Sequence, residues 1–182
     1  GTVLSVDNVR VKIYYAQLTC ETKSGSVFSG SFPITSGDDN WSNANNTISS
    51  NDQRATVQIG SSGDISNYLR ASGFGFTIPT GAIVYGVIAS VERSEANTQD
   101  ATIFDNVVSL VDETGTIVGQ DKGTSANWPT TDASATYGGA ADLWGTTWVP
   151  ADINDSDFGL ALSVGRTSGG DETARVDHVT LS

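Results

Sequence analysis

Few side chains in this sequence are equipped for chemistry, and they are scattered. The one histidine, His178, follows Asp177 in a run that reads as a strand. A serine hydrolase would pair such a ring with a nucleophile on a Gly-x-Ser-x-Gly elbow, and no elbow is present. An edge or surface histidine is the plainer expectation. Glu92 and Glu95 would serve glycoside hydrolysis only opposite a second carboxyl at a set separation. Glu92 stands next to Arg93, where a surface ion pair is the simpler reading. No Cys/His cluster has metal-ligand spacing, and no glycine loop able to cradle phosphate precedes a helix. The chain is therefore expected to be non-enzymatic.

Binding chemistry has more candidates. Trp41, Trp128, Trp144 and Trp148 could stack on sugar rings if they were exposed and coplanar. Trp144 and Trp148 flank a turn, and plugging the end of a sandwich is the competing expectation for them. Asp152, Asn154, Asp155 and Asp157 crowd one loop, and Asp38, Asp39 and Asn40 another. Hard oxygen ligands at alternate positions suit Ca²⁺, although neither loop follows an EF-hand pattern and Asx turns explain both. No other cofactor is implied. Sequons begin at Asn40, Asn45 and Asn154.

With 182 residues the chain can bury one real core. A 37% hydrophobic content and 20 glycines favour short strands joined by turns over helices. The net charge of -12 would repel a phosphate backbone, which argues against nucleic-acid binding. No run approaches the roughly 20 apolar residues of a membrane helix, so membrane insertion is not expected. Methionine is absent, so the stretch is expected to be a processed or excised piece. Cys20 is the only cysteine and cannot close an internal disulfide; a small buried hydrophobe is its expected role.

Period-two alternation dominates. Val9, Val11, Ile13 and Tyr15 alternate with polar or exposed-type residues. Phe74, Phe76 and Ile78 alternate with Gly73, Gly75 and Thr77 before a Pro79-Thr80-Gly81 turn. Ile83, Tyr85, Val87, Ala89 and Val91 mark the next strand. Further strands are expected over 103–111, 158–164 and 176–181, the first closed by a turn at Asp112-Glu113-Thr114-Gly115. Such spacing predicts an all-β, antiparallel β-sandwich that is jelly-roll-like.

Val6-Asp7-Asn8-Val9-Arg10-Val11 resembles Val176-Asp177-His178-Val179-Thr180-Leu181. The chain thus carries two versions of one terminal strand. Residues 1–16, with Val6, Val9, Val11, Ile13 and Tyr15 as its apolar positions, are expected to form an N-terminal strand donated to or shared with a neighbouring subunit. Residues 17–182 then form a single sandwich domain. Added strands associate through main-chain hydrogen bonds, a mode suited to filaments and arrays.

Two further stretches carry a family resemblance. Residues 68–82, ending Gly73-Phe74-Gly75-Phe76-Thr77-Ile78-Pro79-Thr80-Gly81-Ala82, run into Gly86-Val87-Ile88-Ala89-Ser90-Val91. Tyr137-Gly138-Gly139-Ala140-Ala141-Asp142-Leu143-Trp144-Gly145 is followed by Trp148, Ile153-Asn154-Asp155-Ser156-Asp157-Phe158-Gly159 and Val176-Asp177. From about residue 40 onward the chain resembles a β-sandwich module of tailed-phage virion proteins (fibre and decoration) and large bacterial surface proteins. The resemblance implies a structural, decorating or adhesive role, placed outside the cell or on a virion surface, with no catalytic residues. The implied partners are copies of the chain or other structural subunits. Carbohydrate binding or adhesion, with surface glycans as ligands, is the alternative.

Overall fold

The computed structural model describes residues 10, 19–32, 39–60, 63–96, 102–167 and 169–182. The N-terminal positions Val6, Val9, Val11, Ile13 and Tyr15 lie outside them, as does Asp38. The described residues form ten strands: β1 (Lys23–Ser24), β2 (Val27–Phe32), β3 (Ala55–Ile59), β4 (Tyr68–Ser72), β5 (Ile88–Glu95), β6 (Ile103–Val111), β7 (Ile117–Val118), β8 (Ala133–Gly138), β9 (Gly159–Arg166) and β10 (Glu172–Leu181). A 3₁₀ turn covers Ala44–Ile48, and one short helix, α1, spans Pro150–Asn154.

The pairing is that of a long hairpin wound on itself. β6 pairs with β7, β5 with β8, β4 with β9 and β3 with β10, all antiparallel. Rolling this nested ladder joins β10 to β5 and β9 to β6. One sheet then reads β3-β10-β5-β8, with β1 continuing the lane of β3 along β10, and the other reads β2-β4-β9-β6-β7. This is an antiparallel β-sandwich with jelly-roll topology. Its core lies between the inner faces, filled by Val57, Ile59, Leu69, Val91, Val108, Leu110, Leu160, Leu162, Val176 and Leu181 among others.

Where alternation was strongest the strands stand as expected, in β6, β9 and β10. The Gly-Phe-Gly-Phe stretch differs. Gly73 and Gly75 both take φ of 67°, which breaks the pleat, and the strand ends at Ser72. Phe74 and Phe76 still enter the core together, ring centroids 6.2 Å apart. β5 correspondingly begins at Ile88, not Ile83.

The core also contains a charge that the sequence placed on the surface. Arg93 is buried and pairs with buried Asp105 across the sandwich, not with Glu92. Asp105 Oδ1 also accepts from Trp128 Nε1 at 2.8 Å. Its Oδ2 accepts from Thr124 N–H at 3.1 Å and Tyr137 O–H at 3.2 Å. The guanidinium lies 4.8 Å from the Trp128 ring centroid. Every oxygen of this buried carboxylate is therefore occupied, the condition under which an interior ion pair is tolerated.

Candidate functional site

The four tryptophans do not form a stacking platform. Trp41, Trp128, Trp144 and Trp148 are 5%, 2%, 0% and 8% exposed. Each indole N–H is hydrogen-bonded inside: Trp41 to Asn67 O, Trp128 to Asp105, Trp144 to Val87 O and Trp148 to Leu143 O. The amphipathic rings are more stable plugging the sandwich ends than stranded in water.

The acids of the 152–157 loop are engaged with nearby backbone and with Arg70. Asp152 accepts the Val149 N–H at the start of α1, where Pro150 occupies the first turn. Asn154 clamps the Ile78 backbone from both sides, accepting its N–H at 2.8 Å and donating to its C=O at 2.9 Å. Asp155 caps the N–H of Asp157, and Asp157 pairs with Arg70. Among the described residues, the three carboxyls whose oxygens do gather are Asp52, Asp132 and Asp177. Arg54 bridges two of them, Asp132 and Asp52. Its hydrogen bonds hold the Asp132 carboxyl below the usual range. Asp177 Oδ2 caps the Asn51 and Asp52 N–H groups of the adjoining turn. The guanidinium supplies the positive charge this cluster needs. Positions 52, 54, 132 and 177 are too far apart in sequence to have signalled the cluster.

The sequon asparagines are all exposed, but Asn40 accepts from Asn67, and Asn45 sits in the 3₁₀ turn with its Thr47 buried. Cys20 is exposed, against expectation, because it precedes β1 at the sandwich rim.

His178 lies on the outer face of the β10 sheet. Its Nε2 is 2.8 Å from Ser24 Oγ, and Glu92 is its cross-strand neighbour. Neither His178 nor Ser24 lines either of the two cavities described below. Glu92 and Glu95 do not face each other. Glu95 is buried and accepts the Ile103 N–H at 2.7 Å, and burial, with Glu172 nearby, raises its pKa. In the next row Ser24, Thr180, Ser90 and Thr136 stand side by side across four strands, a line of hydroxyls on that same face.

Among the described residues the large exposed apolar side chains are Val27, Ile48, Ile83, Tyr85 and Val149, and the last three lie around neighbouring cavities. Ile83 is 71% exposed, Tyr85 51% and Val149 55%. They line two adjoining cavities that share Gly81 and Ala82. The larger, about 610 Å³, is walled by Thr19, Cys20 and Glu21 on one side and by Ile83–Ile88 on the other. Core side chains Phe76, Ile153 and Phe158 reach its floor, and Ser182 closes one end. Asn154, by clamping Ile78, and the Gly81 turn (φ 87°, Ala82 N–H to Pro79 O) hold the rim in place. Ile83 and Tyr85 share a period-two face with buried Val87, which marks these residues as strand. That the apolar run continues past the covered part of the sheet was the signal for an exposed site.

No family model and no curated protein matches the chain. Among solved structures it is similar to a carbohydrate-binding module described as "CBM4 structure and function", at TM-score 0.44 and 12% identity, covering 86% of this chain and 92% of that one. It is similar to the enzymatically active domain of bacteriophage CBA120 tailspike protein 4, at TM-score 0.41 and 14% identity, covering 87% of this chain but 21% of that one. It is also similar to the second N-terminal cellulose-binding domain of Cellulomonas fimi β-1,4-glucanase C, at TM-score 0.40 and 17% identity, covering 88% of this chain and 94% of that one.

Proposed function

We propose that this chain is a non-enzymatic module of an extracellular or virion-surface assembly, joined to its neighbours at the end of the sandwich that carries Ile83, Tyr85 and Val149. One observation carries the reading. In a chain of net charge -12, three large apolar side chains more than half exposed surround adjoining cavities that open onto the core. Water contact there is unfavourable by about 25 cal/mol per Å² of apolar area, and such patches mark interaction surfaces. Light scattering of the full chain over a wide concentration range tests this. Association is expected, and a chain that stays monomeric at high concentration refutes it.

A second reading, glycan binding, is favoured by the hydroxyl row Ser24–Thr180–Ser90–Thr136 with His178 and Glu92 beside it. Such a face can exchange hydrogen bonds with sugar hydroxyls. Two of the similar structures described above are, by their own descriptions, carbohydrate- or cellulose-binding. Affinity electrophoresis in gels containing soluble β-glucan or xylan distinguishes the readings, since glycan binding retards wild type and Thr180→Arg abolishes the retardation.

A further inference from the structure

The larger cavity has the shape of a missing strand. β1 and β5 flank the C-terminal part of β10 on opposite sides, with Leu181 paired to Lys23 and to Ala89. Beyond it, Ser182 and Ile88 exchange both main-chain hydrogen bonds at 2.8 Å, while the Thr22 and Ser182 hydroxyls meet at 2.8 Å. The two flanking segments then continue past Ser182 as Thr19–Glu21 and Ile83–Val87, the walls of the cavity. Two strands that flank a third are separated by about 9.5 Å, twice the inter-strand spacing. The cavity is the lane between them.

Along Val84–Gly86 the lane's main-chain groups have no main-chain partner among the described residues. In an antiparallel ladder, mutually bonded pairs recur every second residue, so the pair after Ile88 uses Gly86 and the next uses Val84. Val87 turns the other way, accepting from Gly139 and donating to Asp142. Among the described residues Val84, Tyr85 and Gly86 make no main-chain hydrogen bond. Open ladder groups over an apolar floor are what strand addition requires.

We propose that this lane accepts an added β-strand, and that the strand is the Val9–Tyr15 segment of a second copy. This rests on the assembly reading above and names its partner. Two features of the sequence select the occupant. Val6–Val11 resembles Val176–Leu181, so the segment is of the kind that pairs between these two walls, and Val9, Val11, Ile13 and Tyr15 alternate with Arg10, Lys12 and Tyr14, which lets one side of an added strand face the apolar floor. The segment also has Arg10 and Lys12 and no acid between Asn8 and Gln17, in a chain with Lys+Arg 9 against Asp+Glu 21; Glu21 stands on the lane wall. Charge complementarity therefore favours this basic segment as the occupant of a lane on an acidic chain.

The test uses the full chain with two double variants, Ile83→Asp/Tyr85→Asp in the lane and Ile13→Asp/Tyr15→Asp in the segment. Sedimentation equilibrium is expected to show wild type associating and each variant at least tenfold weaker, with unchanged circular dichroism. An equimolar mixture of the two variants keeps one intact lane and one intact segment, and it is expected to form dimers and stop there. Two outcomes overturn the occupant while leaving the assembly reading standing: association undiminished in the segment variant, and a mixture that stays monomeric beside an associating wild type. Association undiminished in the lane variant overturns the lane and the assembly reading together. A monomeric wild type sinks both, including the case in which a chain's own segment fills its own lane.

Discussion

Replacing Asp105 with alanine leaves Arg93 buried without a counter-charge, at a site where Trp128 N–H and Tyr137 O–H also lose their acceptor. Removing one partner of a buried ion pair costs about 3–5 kcal/mol. Each stranded neutral donor adds about 1 kcal/mol, partly offset if water enters the space. A loss of about 4 kcal/mol is a large part of the stability of about 5–15 kcal/mol expected for a single domain. In a chain of this size it lowers Tm by about 8–16 °C. Calorimetry of wild type, Asp105→Ala, Arg93→Met and the double variant closes a thermodynamic cycle. The double variant is expected to recover at least half of the single-variant loss, because no charge is then buried alone. A loss below about 1 kcal/mol in Asp105→Ala, or additive single effects, would refute the claim that these groups stabilise the interior as a unit.

Three further expectations follow from the same geometry. Burial raises the Glu95 pKa, so the folded state binds this proton more tightly than the unfolded chain, and the group's contribution to stability falls as pH rises above the unfolded value. Glu95→Gln keeps an acceptor for Ile103 N–H; urea melts are expected to show it more stable by about 1 kcal/mol at neutral pH, with the gain shrinking in acid, and a pH-independent difference contradicts the assignment. Asn154→Ala frees the Ile78 backbone at the lane rim, and its two lost hydrogen bonds are expected to cost about 1–3 kcal/mol in chemical denaturation and to weaken self-association beyond that loss. Tryptophan emission of the folded chain is expected to be blue-shifted and poorly quenched by acrylamide, since the four indoles are buried; strong quenching would contradict their placement.

Alternation made the sandwich legible, because β6, β9 and β10 carry apolar residues every second position against a shared core. It misread Gly73–Ile78, where the same spacing is produced by glycines at positive φ that end the strand and still deliver both phenylalanines inward. Arg93 misled for a related reason. Local reading pairs it with adjacent Glu92, but neighbours in a strand point to opposite faces, and its partner Asp105 lies across the sandwich. The tryptophans show the limit of residue type as evidence, since the same ring stacks on sugar or plugs a core according to exposure alone. The lane was half legible. The doubled Val-Asp strand raised the expectation of a shared strand, but only the pairing of Ser182 with Ile88, and the walls running past it, define the place proposed for one.

Amide hydrogen exchange of the full chain tests that place most directly. Above the association threshold, Val84 and Gly86 are expected to be protected as strongly as Ile88, and dilution or the Ile13→Asp/Tyr15→Asp variant is expected to release them while Ile88 stays protected. If Val84 and Gly86 exchange freely in the associated chain, no strand fills the lane and the account of how this module joins its neighbours is wrong.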